Sequence, residues 1–465
     1  MSEHGLSKNK VLAVLACLLI GTVCGCRPSN GAEGAREAVE QRTADEMEES
    51  LQKELLNAWY PIALDTLYGG FLSDFTFDWR PSGPQNKMIV TQSRHVWTTS
   101  KAALFFNDSR YLKIAGHGFR FLEGKMWDPE YGGFTMLRNR QGGASPGSQG
   151  GIKTAYGNAF AIYALTAYYE ASGDTSALGL AQRTFGWLDR YSRDPRHLGY
   201  VDQMARDGSW LGTRLPGAGK GSPALIAWKD QNSSIHLLEA FSELFRVWPD
   251  SLLRRRILEL LTLIRDTITT DKGALTLFMD RDWTPISFRD SSQAVLRANV
   301  FFDHVSFGHD VETAYLMLEA SRVLGLPPGG RTLAVAKRMV DHALAKGWDG
   351  ERGGFYDSGS YPADSDSLVV LNKAKVWWAQ AEGLNALLLM AKLFPHEKTY
   401  ERAFRMQWAY MKTHLIDHEH GGWYEEGLDN SPDKLRSAKG SDWKVNYHES
   451  RALMNCIRRL RSKAE

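Results

Sequence analysis

Two segments of the chain place a histidine and a carboxylate at spacings that bring both onto one face of a helix. His236 and Glu239 lie three positions apart, and His309 and Glu312 repeat this spacing. Residues three or four apart are neighbours on a helix surface, so each carboxylate can orient its histidine. Histidine gives and takes protons near neutral pH, because its unperturbed pKa is about 6.5. The pattern therefore indicates general acid–base chemistry.

Other residues suited to catalysis or sugar binding lie in short motifs elsewhere in the chain. Arg94 begins the string RHVW, and His448 ends the string WKVNYH. Asn232 precedes His236 by four positions, which places both on the same helical face. A single polar residue on a helix is most often structural, so the prediction depends on several of them meeting from different segments. Further members of this candidate set are Trp378, Glu382 and Trp443.

Metal and nucleotide sites are the main alternatives for such clusters. The order His-x-x-Glu reverses the Glu-x-x-His order of di-metal helical bundles, and Arg94 would place a cation beside the metal. Beyond the predicted signal peptide only Cys26 and Cys456 remain, which excludes a zinc site built from thiolates. The string GAGK at 217–220 resembles a phosphate loop, but Gly221 stands where Ser or Thr should follow. We therefore expect no metal and no cofactor.

The charge balance restricts the class of ligand. A formal charge of +2 over 465 residues, without a long basic block, argues against nucleic acid, whose phosphates require clustered Lys and Arg. Many of the 15 tryptophans lie in short polar contexts, where a flat indole suits the face of a sugar. A neutral small-molecule sugar is the ligand that this composition favours.

An internal repeat indicates which elements position these residues. Glycine turns followed by an aromatic or apolar residue recur roughly every 65 residues and number six. Apolar residues at three- and four-residue steps between the turns predict helices. The clearest are 159–169, 235–245, 311–324 and 379–393, with second helices at 252–268 and 332–345.

Two helices per repeat predict six helical hairpins. We expect them to close into an all-α (α/α)6 barrel, a single catalytic domain over residues 46–465. The alternative is an open helical solenoid with a repetitive binding face. The chemically distinctive residues differ from repeat to repeat, which favours a closed barrel with one site.

The N-terminal segment predicts export and lipid anchoring. Residues 1–25 have a basic start and a thirteen-residue apolar run, Val11 to Val23, which is shorter than the roughly 20 residues of a membrane-spanning helix. The following VCGC string is typical of a lipoprotein signal peptide with Cys26 as the lipidated residue. Residues 26–45 lack apolar periodicity and predict a flexible tether. The expected location is an exported bacterial lipoprotein, periplasmic or at the cell surface, held to the membrane by its lipid; an ordinary signal peptide with incidental cysteines is the alternative.

Four strings together resemble the N-acylglucosamine 2-epimerase superfamily, and within it most closely the cellobiose 2-epimerases. They are RHVW at 94–97, FGHDVE at 307–312, WWAQAE at 377–382 and WKVNYH at 443–448. The resemblance covers nearly the whole chain beyond the tether, with the motifs in the family's order. It implies an (α/α)6 barrel and epimerisation at C2 of a reducing-end glucose or mannose unit without a cofactor.

The resemblance also implies roles for individual residues. His309 and His448 correspond to the family's acid/base histidines, Arg94 to its active-site arginine, and His236 with Asn232 to its Asn-x-x-x-His helix. The positions that it implies for the lining of the sugar site are Tyr156, Glu239, Glu312, Trp378, Glu382 and Trp443.

Two departures from the family pattern leave the substrate open. Ser234 stands where the family has a histidine, and Glu449 replaces the small polar residue that follows His448. One alternative on the same scaffold is aldose–ketose isomerisation of the mannose isomerase kind, in which the proton returns to C1. The others are an (α/α)6 glycoside hydrolase, which needs two suitably spaced carboxylates, and a sugar-binding lipoprotein without catalysis.

Overall fold

Twelve long helices form most of the part of the chain that the structure describes. The computed structural model describes residues 30–145, 151–215, 225–289, 291–362 and 365–462. The outer helices are α1 (Asn30–Glu49), α3 (Ser109–Phe121), α5 (Thr175–Tyr191), α7 (Ser251–Leu263), α9 (Arg331–Lys346) and α11 (Lys398–His414). The inner helices are α2 (Ile89–Phe106), α4 (Ala155–Ser172), α6 (Gln231–Val247), α8 (Phe307–Val323), α10 (Trp377–Leu393) and α12 (Tyr447–Arg461).

The inner helices form a closed ring. Each packs against the next inner helix along the chain, and α12 packs against α2 to complete the circle. Each also packs against an outer helix: α1 covers α12, and the other five outer helices cover the inner helix that precedes them. The predicted (α/α)6 barrel is confirmed, and each predicted helical segment lies within a helix or its terminal turn.

The inner and outer helices differ in how much of their surface is buried. In α4 each residue from Ala155 to Ala167 is buried, as expected for a helix with neighbours on all sides. The outer helices bury one stripe, and three of them begin with a side-chain cap. Asp108, Asp174 and Asp250 accept hydrogen bonds from the first backbone N–H groups of α3, α5 and α7, each cap being worth about 1 kcal/mol.

The glycine turns join the outer helices to the inner ones. In the first turn Gly69 and Gly70 have φ angles of 85° and 68°, a region that favours glycine. Asp65 accepts hydrogen bonds from the backbone of the turn and forms an ion pair, fully buried, with Lys87 just before α2. Equivalent buried pairs recur in four other repeats: Lys153–Asp128, Lys229–Asp194, Lys375–Asp349 and Lys439–Asp417. The repeat read from the glycines therefore also contains a repeated ion pair.

Short antiparallel strands lie at the N-terminal ends of the inner helices. The strand pairs are β1 (Lys87–Met88) with β2 (Leu137–Arg138), β3 (Lys153–Thr154) with β4 (Gln203–Met204), β5 (Thr213–Leu215) with β6 (Leu225–Ala227), and β7 (Lys229–Asp230) with β8 (Phe278–Met279). A three-stranded sheet has the order β11 (Val369–Asn372), β10 (Ser358–Ser360), β9 (Val305–Ser306). These strands build the rim around one end of the barrel.

The structure differs from the expected tether (26–45) over residues 30–45, the part of that segment that it describes. Helix α1 begins at Asn30 and continues as a π-helix over Ser50–Leu56. Ala44 is fully buried, and Lys392 lies 3.0 Å from Glu40. Apolar periodicity is weak here because only one narrow stripe packs against the barrel, while ion pairs support the exposed part of the helix.

The signal peptide and Cys26 lie outside the described residues. No helix within the described ranges is long and apolar enough to cross a membrane.

Candidate active site

The candidate residues meet at one end of the barrel. Successive inner helices are separated by an antiparallel outer helix, so all six inner helices run in the same direction. Except for Trp443, which lies just before α12, every candidate lies within the first nine residues of an inner helix. Six helix N-termini thus face the same space, and their dipoles favour negative charge there.

Arg451 forms the base of the site. Its guanidinium, buried on α12, contacts carboxylates from three other inner helices: Glu239, Glu312 at 2.6 Å and Glu382 at 2.7 Å. The Tyr447 hydroxyl donates to Glu239 over 2.7 Å. Burial alone would raise the pKa of Glu239, but Arg451 and His236 outweigh it and hold the pKa at about 2. Glu239 is therefore a fixed anion.

His448 is bound to this charged network. Its Nδ1 lies 2.7 Å from Glu382 Oε1 and 3.8 Å from Glu312 Oε1. Burial, reinforced by the positive charge of Arg94, lowers the pKa of His448 well below its ordinary value. The ring is neutral at pH 7, and with Nδ1 facing Glu382 its Nε2 is the nitrogen suited to proton exchange.

His309 has a different environment. Its Nδ1 lies 2.8 Å from the hydroxyl oxygen of Ser306, and its ring centroid is 4.6 Å from that of Trp378. Burial, with smaller effects from nearby histidines, lowers its pKa to about 3. The Trp378 ring is also 5.8 Å from that of His448, so the indole contacts both histidine environments.

Only one of the two predicted histidine–carboxylate pairs has formed. His236 Nδ1 lies 2.9 Å from Glu239 Oε2, as the spacing predicted. The prediction that Glu312 orients His309 is wrong, because Glu312 bonds to Arg451 instead. The charged guanidinium is a stronger partner for a buried carboxylate than a neutral imidazole is.

Arg94 links two sides of the cavity. It donates to the Trp443 carbonyl oxygen over 2.9 Å and to the Tyr156 hydroxyl over 3.1 Å. Its guanidinium carbon is 4.7 Å from the Phe160 ring centroid, within the range of a cation–π contact. Trp443 itself is 51% exposed, so its indole is available at the mouth of the site.

A cavity of about 460 Å³ opens above these groups. Its volume is within the roughly 300–1,000 Å³ of small-molecule sites. Its walls combine aromatic rings with polar groups, and four candidate residues contribute to the lining: Tyr156, Asn232, His309 and Trp443. The size and the mixed lining suit a sugar.

Sequence reasoning missed two residues with direct roles in this geometry, Arg451 and Ser306. Arg451 lies three positions after His448, a spacing that could have revealed it, but Arg458, Arg459 and Arg461 nearby made it one of several basic residues. Ser306 precedes the helix of His309 and has no motif of its own.

Glu312, Glu382 and His448 also meet the distance requirement for a three-ligand metal group, with donor atoms within 4.8 Å of one another. The Arg451 guanidinium already lies against both carboxylates at hydrogen-bond distance. Its positive charge offsets part of theirs and would repel a metal cation. Within the part of the chain that the structure describes, Glu312 and Glu382 are therefore better suited to orienting His448 than to binding a metal.

The inner helices of this closed barrel bring neutral histidines and an arginine to one end, beside a sugar-sized cavity with aromatic walls. This combination defines a carbohydrate-active enzyme of the proton-transferring kind. The family model of N-acylglucosamine 2-epimerase matches residues 70–452, and the chain belongs to this family. The resemblance seen in the four sequence strings is confirmed.

Similar proteins include two kinds of sugar enzyme. A cellobiose 2-epimerase of Ruminococcus albus is 28% identical over 417 residues, covering 89% of this chain and 98% of that protein. A D-mannose isomerase of Marinomonas mediterranea is 25% identical, covering 86% and 94%. The solved cellobiose 2-epimerase of Spirochaeta thermophila has a TM-score of 0.77 at 31% identity, covering 91% of this chain and 98% of that one.

Proposed function

We propose that this protein epimerises C2 of a glucose or mannose unit at the reducing end of a sugar. The observation that carries the proposal is a pair of neutral histidines, half-buried His309 and buried His448, whose rings both lie against the indole of Trp378. Family membership and the cellobiose 2-epimerase relatives support the same reaction.

The proposed reaction needs one proton to leave one face of a carbon and return to the other. In an open-chain aldose the C2–H bond is α to the carbonyl, so its loss gives an enediolate without a redox step. One histidine takes this proton and the other supplies a proton to the opposite face, each transfer being worth about 10²–10⁴-fold. Arg94 is the candidate donor to the developing oxyanion, at about 2.7–4 kcal/mol.

Aldose–ketose isomerisation is the second candidate, since the D-mannose isomerase relative spans most of this chain. The two reactions share the enediolate and differ in whether the proton returns to C2 or C1. The glycosidase alternative fits less well: Glu239, Glu312 and Glu382 all bond to Arg451, so no pair of them is free to act as acid and nucleophile.

The test is incubation with mannose, glucose, cellobiose and N-acetylglucosamine in D₂O, followed by NMR. We expect deuterium at C2 and formation of the 2-epimer from at least one of these sugars. Formation of ketose alone would contradict epimerisation, release of a smaller sugar from cellobiose would indicate a hydrolase, and binding without turnover would indicate a sugar-binding protein.

We also propose that the protein is exported and anchored to a membrane by lipid on Cys26. The support is the sequence of residues 1–26 alone. Expression with radiolabelled palmitate should label the wild type and leave Cys26→Ser unlabelled and released from membranes. Equal labelling of both proteins, or none of either, would contradict the anchor.

A further inference from the structure

Two carboxyl groups meet in the wall of the cavity. Asp202 lies just before β4, and Asp230 precedes the first residue of α6, where it accepts from the Ser233 backbone N–H over 2.7 Å. The Ser233 hydroxyl oxygen is 2.8 Å from Asp202 Oδ1 and 2.8 Å from Asp230 Oδ2. Both aspartates line the cavity that also contains His309.

These distances imply that the two aspartates share a proton. A serine hydroxyl has one proton to donate, so it satisfies only one of the two carboxylates. The second short contact is a hydrogen bond only if the other carboxyl is protonated and donates to Ser233. Burial, together with the charge of Asp202, raises the pKa of Asp230 to about 7, which agrees with one shared proton at neutral pH. The pair thus places an acid beside a base.

Helix capping alone does not explain this arrangement. Thr154 caps the neighbouring inner helix α4 in the same cavity with an uncharged hydroxyl, which accepts from the Gly157 backbone N–H over 2.9 Å. Two nearby carboxyl groups repel each other when both are ionised, so Asp230 beside Asp202 is a costly choice of cap. Carboxyl pairs that share one proton are typical of catalytic sites, where they supply an acid and a base together.

Two amide side chains supply an independent sign of a ligand in the same wall. Gln231 is 4% exposed and lines the cavity, and its Oε1 has no hydrogen-bond partner among the described residues. The Oδ1 atom of Asn232, also in the lining, has none either. A buried amide oxygen without a partner costs free energy unless a ligand or water donates to it. These acceptors beside the carboxyl pair suit the hydroxyl groups of a sugar.

The pair lies level with the acid–base histidines. Asp230 directly precedes α6, while His309 is the third residue of α8 and His448 the second of α12. All inner helices run in the same direction, so these positions share one height in the barrel. Helices α6 and α8 are neighbours in the ring, and packed helices have axes about 8–10 Å apart. A sugar ring in front of these two helix ends can therefore reach both His309 and the pair.

The proposed reaction needs an acid at this height before C2 can react. Reducing sugars in water are mostly closed rings, and opening the ring requires a proton on the ring oxygen. Burial lowers the pKa of His309 to about 3 and that of His448 well below its ordinary value, so neither has a proton to give before it takes one from C2. Among the described lining residues, burial also lowers the pKa of His304 and raises that of Tyr156 to about 12. Of the titratable groups in this lining, the aspartate pair is best suited to give a proton at neutral pH.

We propose that Asp202 and Asp230, bridged by Ser233, form the acid–base pair that opens the pyranose ring before the C2 step and closes it afterwards. The protonated carboxyl gives its proton to the ring oxygen as the C1–O5 bond breaks. The ionised carboxyl takes the proton of the anomeric hydroxyl as the C1 carbonyl forms. The pair keeps its total charge with the proton on the other aspartate, and closure of the product ring reverses the exchange. This inference deepens the proposed function and rests on it for the need to open a ring.

Exchange between α and β anomers measures ring opening separately from epimerisation. NMR would follow freshly dissolved single anomers of mannose, glucose, cellobiose and N-acetylglucosamine in D₂O, and C2 deuteration in the same samples. The proteins are wild type, Asp230→Asn, Asp202→Asn and His309→Ala. Asparagine also caps helices well, so Asp230→Asn keeps the cap and removes the acid. Asp250→Asn is the matched control, because Asp250 caps α7 on the outer ring.

We expect wild type to accelerate anomer exchange of at least one of these sugars. Asp230→Asn and Asp202→Asn should each lower this acceleration about 10²-fold or more, the usual contribution of a proton-transfer group. His309→Ala should lose C2 deuteration and keep anomer exchange, and Asp250→Asn should match wild type in both.

Four results would overturn the inference: no acceleration by wild type, full acceleration in either aspartate variant of the pair, an equal loss in His309→Ala, or an equal loss in Asp250→Asn. Accelerated anomer exchange that depends on the pair, without C2 deuteration by wild type, would reject the proposed function and leave the inference standing.

Discussion

The two histidines of the site have the same residue type and nearly opposite surroundings. His448 faces Glu382 at 2.7 Å, and Glu382 in turn bonds to Arg451. His309 faces the uncharged hydroxyl of Ser306 and the ring of Trp378. A histidine beside a carboxylate gains stability when it becomes charged, whereas one beside a hydroxyl and an indole gains less. The two faces of a bound sugar would therefore meet acid–base groups of unequal strength.

The barrel therefore provides two acid–base histidines in different environments rather than a symmetric pair. The negative charge is concentrated on the His448 side, where Arg451 offsets only part of the charge of three carboxylates. We expect the substitutions below to act on the two sides unequally.

The largest effect is expected from removing either ring. His309→Ala and His448→Ala should each lower kcat by about 10²–10⁴-fold, since each removes one proton-transfer group. Turnover of the preferred sugar measures the loss, and circular dichroism confirms that the helices remain. Activity near wild type in either variant would remove that histidine from the mechanism.

A smaller loss is expected when only the carboxylate partner changes. Glu382→Gln keeps the shape but removes the charge that favours a protonated His448. A hydrogen bond to a charged group is worth about 1.5–3 kcal/mol, so kcat should fall about 10- to 100-fold. Glu419→Gln, the same change at an exposed position, is the control. An unchanged kcat in Glu382→Gln would show that the contact between Glu382 and His448 does not assist catalysis.

Ser306→Ala should cost still less. It removes a neutral hydrogen bond worth about 0.5–1.5 kcal/mol, which corresponds to a two- to tenfold fall in kcat. Ser367→Ala, on an exposed turn, is the control. A loss as large as that of Glu382→Gln would contradict the asymmetry between the two histidines.

The smallest effect is on stability at acid pH. His309 has a pKa of about 3 in the folded protein against an ordinary 6.5, so between these values the unfolded chain binds the extra proton. Stability contributed by the neutral ring is thus present above pH 6.5 and is lost as pH falls towards 3. Because buried carboxyls with raised pKa values act in the opposite direction, the measurement is the melting temperature of wild type minus that of His309→Gln. This difference in melting temperature should become smaller, or more negative, between pH 7.5 and pH 5. A difference that stays constant would contradict the low pKa of His309.

The barrel could be predicted because each repeat contains local signals. The glycine turns and the three- and four-residue apolar steps depend only on neighbouring residues, so six hairpins follow from the sequence. The segment from Asn30 to Asp45 could not be predicted in the same way. Its helical state depends on packing by Ala44 and Met47 and on ion pairs to distant residues such as Lys392.

The site was predicted less completely than the fold because its decisive contacts join distant parts of the chain. His448 and Glu382 are 66 positions apart, and Arg451 and Glu239 are 212 apart. Helical spacing correctly paired His236 with Glu239, yet the same rule failed for Glu312, whose stronger partner comes from another helix. Local spacing shows which contacts are possible. Which of them form depends on how distant helices pack in the assembled ring.

The position of α12 has a consequence for the timing of assembly. This helix supplies both His448 and Arg451, and it closes the ring by packing against α2. Until it docks, Glu239, Glu312 and Glu382 from three earlier helices repel one another without the guanidinium between them. We expect catalytic competence to appear as the final event of folding, so that a partly folded barrel is inert towards any reducing sugar that it meets.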